Sequence, residues 1–457
     1  MDRRALLLGV SALLASPAVA PPALAAPAGR PPNFIVILCD DLGYGDVSLD
    51  GRGPIPTPNL ARMAREGVTL TDYYAPANLC TPSRAGLLTG RYPVRTGLGY
   101  EVIMQADDRG LPLTEVTIPK ALAATHVSGL FGKWHLGHTP AYWPPTRHGF
   151  DTFFGIPYSH DMAPLSLFEA HAGVAEVKQS PVDFPTLQQQ FYAHAEAFIE
   201  ANRHRPFFVE LALSAPHLPS HPAAGTVTDG PAGPYGATVM EIDGIVGRLM
   251  DKLKALGLDR DTLVIFTSDN GPWFEGSTGG LRERKGGGAF DGGYRVPFIA
   301  RQPGVLPAGQ KVNSIAMGID ILPTLCALAG QPLPSGVELD GKDLSAVLTR
   351  GAPSPHEALI LFDNEAPIGI RTQRWKYVAS AYYRGNRFPL DKLGYTEVFD
   401  VAGDPTESYN VAAVHPEVAA ELKARLARAH ADFAPYRHAD IPPVFKQLHG
   451  ILEHMQD

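Results

Sequence analysis

Four continuous runs of apolar, β-prone residues constrain this chain more than any other feature of its sequence. Phe34 to Cys39, Val127 to Phe131, Phe207 to Leu213 and Leu263 to Thr267 lack the apolar–polar alternation of a half-exposed strand. A strand covered on both faces needs no alternation, so these runs read as the interior of a parallel sheet. Helical stretches lie between them. One opens at Thr57 as N-cap with Pro58 in its first turn and closes at Gly67, and another runs from Gly236 to Leu256. Strand–helix alternation of this kind gives an α/β fold, a large, mostly parallel sheet sandwiched by helices. The pattern changes at Gly351-Ala352-Pro353-Ser354-Pro355. Short strand candidates follow at 358–362, 368–372, 375–378 and 397–400, then a helix over 416–433. They read as a smaller C-terminal antiparallel sheet plus helix. The expected organisation is a large domain over residues 31–350 and a C-terminal subdomain over 355–457.

Charge and cysteine content narrow the function classes. The 457 residues carry 39 Lys plus Arg against 47 Asp plus Glu, a formal charge of −8. With both signs interspersed, no broad basic face for nucleic acid is expected. Three cysteines, Cys39, Cys80 and Cys326, are too few for a disulfide scaffold. The N-terminus has the order of a signal peptide: Asp2-Arg3-Arg4, the apolar stretch Ala5 to Ala15, then small residues and prolines. Ala23-Leu24-Ala25 fits the cleavage rule, so residues 1–25 are expected to be removed and the mature chain to begin at Ala26. The arginine pair leaves Sec and twin-arginine export both open. The apolar run is too short to span a bilayer, and no later segment reads as transmembrane. The expected protein is exported, periplasmic or secreted, without stable membrane insertion.

The polar residues that follow the apolar runs fall at one kind of position. Asp40-Asp41, Lys133 and His135, His217, and Asp269-Asn270 each come just after an expected strand. In open parallel sheets ligands bind beyond the carboxyl ends of the strands, so separate strands would deliver these residues to one edge. Singly, Asp-Asn-Gly could be a turn and each histidine a hydrogen-bonded core residue; four coincidences are harder to dismiss. Three carboxylates brought together repel unless a cation lies among them. Asp40, Asp41, Asp269 and the Asn270 amide are oxygen donors, which suits Ca²⁺ or Mg²⁺ better than Zn²⁺. Cys80, followed by Thr81-Pro82, is placed at a helix N-terminus, where the helix end would favour an anion and lower a thiol pKa. Cys39 and Cys326 read as inert buried thiols.

Cys80-Thr81-Pro82-Ser83-Arg84, followed by Leu87-Leu88-Thr89-Gly90-Arg91, resembles the signature of the type I sulfatases, whose cysteine is oxidised to formylglycine. The resemblance covers nearly the whole mature chain. It includes the segments beginning at Asp40, Gly132, Gly149, Asp269 and Asp291, and Gly155 to Asp161 is similar to the arylsulfatase A branch. It implies an alkaline phosphatase-like fold. It also implies that Asp40, Asp41, Asp269 and Asn270 hold a metal, usually Ca²⁺, with the modified Cys80 completing the shell. Arg84, Lys133, His135, Ser159, His217 and Lys285 match the family's other active-site positions. One departure stands out: the family's second lysine commonly lies six residues before the Gly-Gly pair, whereas Lys285 lies seven before Gly292. Gly286 occupies the usual offset and Arg284 is adjacent.

The implied activity is hydrolysis of organic sulfate monoesters, either small aryl sulfates or carbohydrate sulfates, with a hydrated formylglycine as nucleophile. Its implied partners are the formylglycine-generating enzyme and the export machinery. In that scheme Lys133 and Lys285 stabilise sulfuryl charge, Arg84 holds the nucleophile, Ser159 binds substrate, and His217 or Lys285 protonates the leaving oxygen. His135 takes the proton that lets sulfate depart. Two alternatives remain at this stage: a phosphodiesterase or phosphonate monoester hydrolase of the same superfamily, and a non-enzymatic metal- and anion-binding protein with unmodified Cys80.

Overall fold

The computed structural model describes residues 30–49, 53–226, 228–383 and 386–438. The expected signal peptide over 1–25, and the end of the C-terminal subdomain beyond 438, lie outside the described residues. The main sheet has ten strands: β1 (Asn33–Asp40), β2 (Val68–Leu70), β3 (Val127–Lys133), β4 (Thr152–Ile156), β5 (Leu167–His171), β6 (Val174–Gln179), β7 (Phe207–Pro216), β8 (Thr262–Ser268), β9 (Phe298–Arg301) and β10 (Gln310–Val312). Their spatial order is β10-β2-β9-β8-β1-β7-β3-β4-β5-β6.

The five strands from β8 to β4 are mutually parallel. They include all four apolar runs, and β1 shows why those runs do not alternate. Phe34, Val36 and Leu38 enter one core, while Ile35, Ile37 and Cys39 enter the other on the opposite face. The helices Leu187–Ala201 and Gly233–Ala255 cover the second face, and Ile321–Ala329 helps to cover the first. Each such aliphatic or aromatic side chain contributes about 1.5–3 kcal/mol on burial, so a charged residue at Ile37, which is 0% exposed, would break the sheet at its centre. The antiparallel parts lie at the flanks: β9 against β8 and β2, and the β5–β6 hairpin against β4.

Local expectations hold at the level of elements and shift at their ends. The helix after Thr57 is Pro58–Arg65, but the Thr57 side chain does not cap it. Its Oγ1 accepts the Ser48 N–H at 3.0 Å instead, because the preceding loop folds back over that helix end. The C-terminal sheet is fully antiparallel, ordered Leu359–Asp363, Ala366–Arg371, Trp375–Val378, Glu397–Asp400. The helix Pro416–Phe433 lays Leu422 and Leu426 on Ile370 and Val398. Leu361, Ile368 and Val378 share a core with Tyr74, Phe290 and Tyr294 of the large region. The two parts are thus joined by apolar packing as well as by chain.

Candidate active site

β1 and β8 lie side by side with Cys39 opposite Ser268, so Asp40 and Asp269 emerge together from the carboxyl end of the sheet. The pairing of β1 with β7 shifts register between Leu38 and Asp40; such irregularities re-aim side chains where a strand ends. Asp41 then adopts a left-handed backbone with φ 64°, a conformation a non-glycine residue holds only when its surroundings over-determine it. The Leu42 N–H donates to Ser268 Oγ and the Asp41 N–H to Asp269 Oδ1. On β3, a Cβ at Gly132 would sit 1.8 Å from the Ala212 oxygen, so only glycine lets β3 approach β7 there and deliver Lys133. Cys80 opens the helix Cys80–Thr89, every residue of which is buried, with Leu79 as N-cap. Thr81 is not the cap. Its hydroxyl donates to the His135 carbonyl and accepts the Ile103 N–H, both at 3.0 Å, tying the helix start to the His135 loop.

These elements bring the expected residues into one ionic cluster. Lys133 Nζ donates to Asp40 Oδ2 at 2.7 Å. Arg84 donates from Nε to Asp269 Oδ2 at 2.8 Å and from NH1 to the Lys133 carbonyl at 3.1 Å. Lys285 Nζ donates to both Asp41 oxygens at 2.7 and 2.8 Å and to Cys80 Sγ at 3.2 Å. The Cys80 thiol lies 3.4 Å from Asp40 Oδ1 and 3.7 Å from Asp41 Oδ1. Lys285 and its neighbour Arg284 are directed apart. Arg284 points away, donating to the carbonyls of Trp273, Phe274 and Gly276. Gly286, next in the chain, has φ 74° and its N–H donates to the Asn78 carbonyl.

The histidines have defined tautomers by geometry. His135 Nε2 sits 2.9 Å from the Ile103 carbonyl, which fixes the proton there and leaves Nδ1 buried without a partner. His135 is itself left-handed, with φ 60°. His217 Nδ1 donates to the Leu218 carbonyl at 2.6 Å, which turns Nε2 toward Asp41 Oδ2 and Ser159 Oγ, each 3.5 Å away. A cavity of about 550 Å³ opens onto Cys80, His135, Ser159, His217 and Lys285.

Burial sets the protonation states. It would raise Asp40, yet Lys133, His217, Arg84 and Lys285 together hold that carboxyl well below its ordinary range. Asp269, buried and repelled by Asp40 although Arg84 opposes this, is pushed up to about 6. Burial also pushes the Cys80 thiol well above its usual value, with Asp269 adding to the effect. This corrects the expectation of a lowered thiol pKa: nearby carboxylate and desolvation outweigh the helix end. His135 is driven well below its usual value by burial and by Lys133, so it stands neutral.

The metal argument changes as well. Three carboxylates are already balanced by Lys133, Arg84 and Lys285, so repulsion alone does not call for a cation. The donor set does. Asn270 spends both amide hydrogens on Asp41 Oδ1 and the Gly271 carbonyl, and its Oδ1 is buried with no partner. Leaving such an oxygen unmet costs about 1–3 kcal/mol, and a hard cation would satisfy it. Asp40, Asp41, Cys80 and His217 place ligand atoms within 4.8 Å of one another. Asp269 stands adjacent but is turned toward Arg84 and the Asp41 amide. Thr81, inside the Cys80 signature, anchors the helix start, and two residues the motifs did not mark complete the site: Ser268 as a backbone anchor, and Trp273, whose ring lies 5.3 Å from Lys285 Nζ and 5.5 Å from the His217 ring. Trp273 was findable as the aromatic just past Asn270; the Ser268 hydroxyl carries no sequence signal.

Comparison with known proteins gives concordant matches. The family model described as Sulfatase covers residues 32–331, and one described as N-sulphoglucosamine sulphohydrolase, C-terminal covers 289–432. Arylsulfatase A of Homo sapiens is 38% identical over 456 residues, spanning 89% of each chain. Steryl-sulfatase of Mus musculus is 35% identical, with 83% of this chain and 75% of that protein covered. The crystal structure of PsFucS1 sulfatase from Pseudoalteromonas sp. superposes with a TM-score of 0.83 at 29% identity, covering 90% of this chain and 92% of that one. Among the described residues no helix is long and apolar enough to cross a membrane.

Proposed function

The chain belongs to the sulfatase family and is a sulfuric ester hydrolase, and from that premise we propose that it cleaves aryl or carbohydrate sulfate monoesters through a formylglycine made from Cys80. The observation that carries this reading is the setting of Cys80 Sγ, between Asp40 and Asp41 and 3.2 Å from Lys285 Nζ, at the floor of an open cavity. A thiol whose pKa is raised is a poor nucleophile. The hydrated aldehyde supplies what it lacks, an oxygen that attacks sulfur and a second hydroxyl that allows sulfate to leave.

Asp40, Asp41, Asp269 and Asn270 would hold Ca²⁺, with Mg²⁺ as the alternative, and the ion would supply positive charge beside the negative charge that builds on the sulfuryl oxygens. Lys133 and Lys285 stabilise that developing charge, since both ammonium groups are fixed in a dry site before substrate arrives. Arg84, locked on Asp269, holds the nucleophilic side chain. As an imidazolium, with its Nδ1–H held by the Leu218 carbonyl, His217 would give its Nε2 proton to the departing oxygen and be left neutral, with Ser159 beside it to orient the ester. His135 takes a proton on Nδ1, the one ring nitrogen left open by its bond to Ile103.

The whole Cys80–Thr89 helix is buried, so the formylglycine-generating enzyme acts before folding closes the site. The leader over residues 1–25 directs export, with a mature start at Ala26. The test is peptide mass spectrometry of Cys80 on the batches used for a 4-nitrophenyl sulfate assay. Turnover should track the converted fraction; full turnover with Cys80 entirely thiol would overturn the reading.

A further inference from the structure

We propose that the cavity continues beyond the reacting atoms into a second lobe that holds a neutral sugar ring of the leaving group, and that its carboxylates turn away polyanionic chains. The proposal rests on the sulfatase reading above and specifies its substrate. The inner cavity is walled by Val102, Met104, Met162 and Trp273 as well as by the reacting residues. A second cavity of about 500 Å³ adjoins it, lined by Asp161, Ser220, Trp273, Phe274 and Glu275 among others. Trp273 and Asp161 line both, so the two volumes form one bent cleft. Cavities of roughly 300–1,000 Å³ take ligands of several rings, and a phenyl sulfate would leave the outer lobe empty.

The outer lobe has one aromatic wall and one acidic wall. The Trp273 and Phe274 rings stack at 4.4 Å between centroids with 30° between planes, and Phe274 is 74% exposed. This platform is held rigid from behind, since Arg284 donates to the carbonyls of Trp273, Phe274 and Gly276. A fixed, solvent-facing ring of this kind offers apolar contact to the C–H face of a sugar at little entropic cost. Asp161 and Glu275 are exposed at the lobe. Carboxylates accept short, strong hydrogen bonds from hydroxyls and repel a second sulfate or carboxylate. Among the described residues lining both lobes, Lys285 is the only lysine or arginine, and Asp41 holds it. The lobe therefore suits a ring that is flat on one face, rich in hydroxyls and free of negative charge.

The experiment compares three substrates on enzyme of measured Cys80 conversion: 4-nitrophenyl sulfate, a neutral disaccharide bearing one sulfate, and the same disaccharide with a second sulfate on the unreactive ring. The neutral disaccharide should show the lowest KM, about tenfold below the disulfated one. Phe274→Ala should lower the ratio of kcat/KM for the neutral disaccharide over 4-nitrophenyl sulfate by about tenfold. Asp161→Asn combined with Glu275→Gln should lower the same ratio and narrow the penalty for the second sulfate. Thermal melts of each variant establish that it is folded. The lobe is refuted if the disulfated substrate is preferred by the parent enzyme, or if the variants change all three substrates by one common factor. Turnover of the aryl sulfate without preference for the disaccharide sinks the lobe alone; failure on all three with Cys80 converted sinks the sulfatase reading beneath it.

Discussion

Among the described residues two buried ionic clusters invite comparison, and the first opens onto a cavity. The first is the group around Asp40, Asp41 and Asp269 with Lys133, Lys285 and Arg84. The second joins the large region to the C-terminal sheet. There Lys376 Nζ donates to Asp291 Oδ1 at 2.5 Å and pairs with Glu407 Oε1 at 2.7 Å, while Glu407 Oε2 accepts the Asp291 N–H at 2.8 Å. Tyr74 donates to Asp291 Oδ2 at 3.0 Å and accepts from Arg371 Nε at 2.7 Å. Lys376, Asp291 and Glu407 are all 0% exposed. Buried charge and perturbed pKa values are common to both, so neither property identifies a site by itself. The first cluster differs in facing a cavity and in leaving Asn270 Oδ1 and His135 Nδ1 unpartnered; left-handed backbone does not separate the two, since Glu407 has φ 52° as Asp41 has 64°. The second closes on itself and ties Lys376 of the C-terminal sheet to Asp291 of the short helix Asp291–Tyr294.

The contrast yields predictions of decreasing size. Cys80→Ala should fold with little change in melting temperature and lose activity by about 10⁴ or more, since the nucleophile is gone while one small side chain leaves the core. Circular dichroism melts beside a sulfate-release assay decide this. Lys376→Met should do the reverse. Stranding Asp291 and Glu407 without their lysine costs about 3–5 kcal/mol of stability, read as a lower urea midpoint, while any folded fraction retains its catalytic rate per molecule. An unchanged midpoint would show that the second cluster is not a fastener.

Lys285→Ala should lower kcat/KM by about 10² through loss of charge stabilisation in a dry site. Arg284→Ala should leave the rate on 4-nitrophenyl sulfate within about threefold, because its guanidinium holds the Trp273 loop and not the reacting atoms. The opposite ranking would mean that Lys285 does not fill the second lysine position.

The smallest effect is a pH dependence of stability. Burial and the neighbouring Asp291 raise Glu407 to about 7 from its ordinary 4.5, although Lys376 opposes this. A group raised on folding contributes stability that is fully present below its unfolded pKa and is lost as pH rises through the folded one. The urea midpoint should therefore fall between pH 5 and 8, on the order of 2 kcal/mol, and Glu407→Gln should flatten that slope. A slope identical in the variant would assign the dependence to another group.

Much of this architecture was legible in the chain. Unalternating apolar runs give parallel strands because both faces of β1 are covered, and the polar residues just past them reach one edge because parallel strands all end there. The C-terminal elements were readable from short strand runs and an 18-residue helix, Pro416–Phe433. The conformation of Asp41, the opening of His135 Nδ1 and the partnership of Lys285 were not, since each depends on contacts between residues far apart in sequence.

Sequence by itself determined which residues could take part, since hydropathy and motif spacing are local properties of the chain. Only the tertiary structure decided which of two adjacent cations reaches Asp41. Arg284 and Lys285 differ by one position, yet between the left-handed Glu283 and Gly286 one reaches the Trp273 carbonyl and the other Asp41. The charge on Cys80 was decided in the same way. A helix N-terminus favours a thiolate when considered alone, but the fold buries the sulfur beside Asp40, Asp41 and Asp269. Desolvation and the Asp269 carboxylate raise the thiol pKa there against the opposing Lys133 and Lys285.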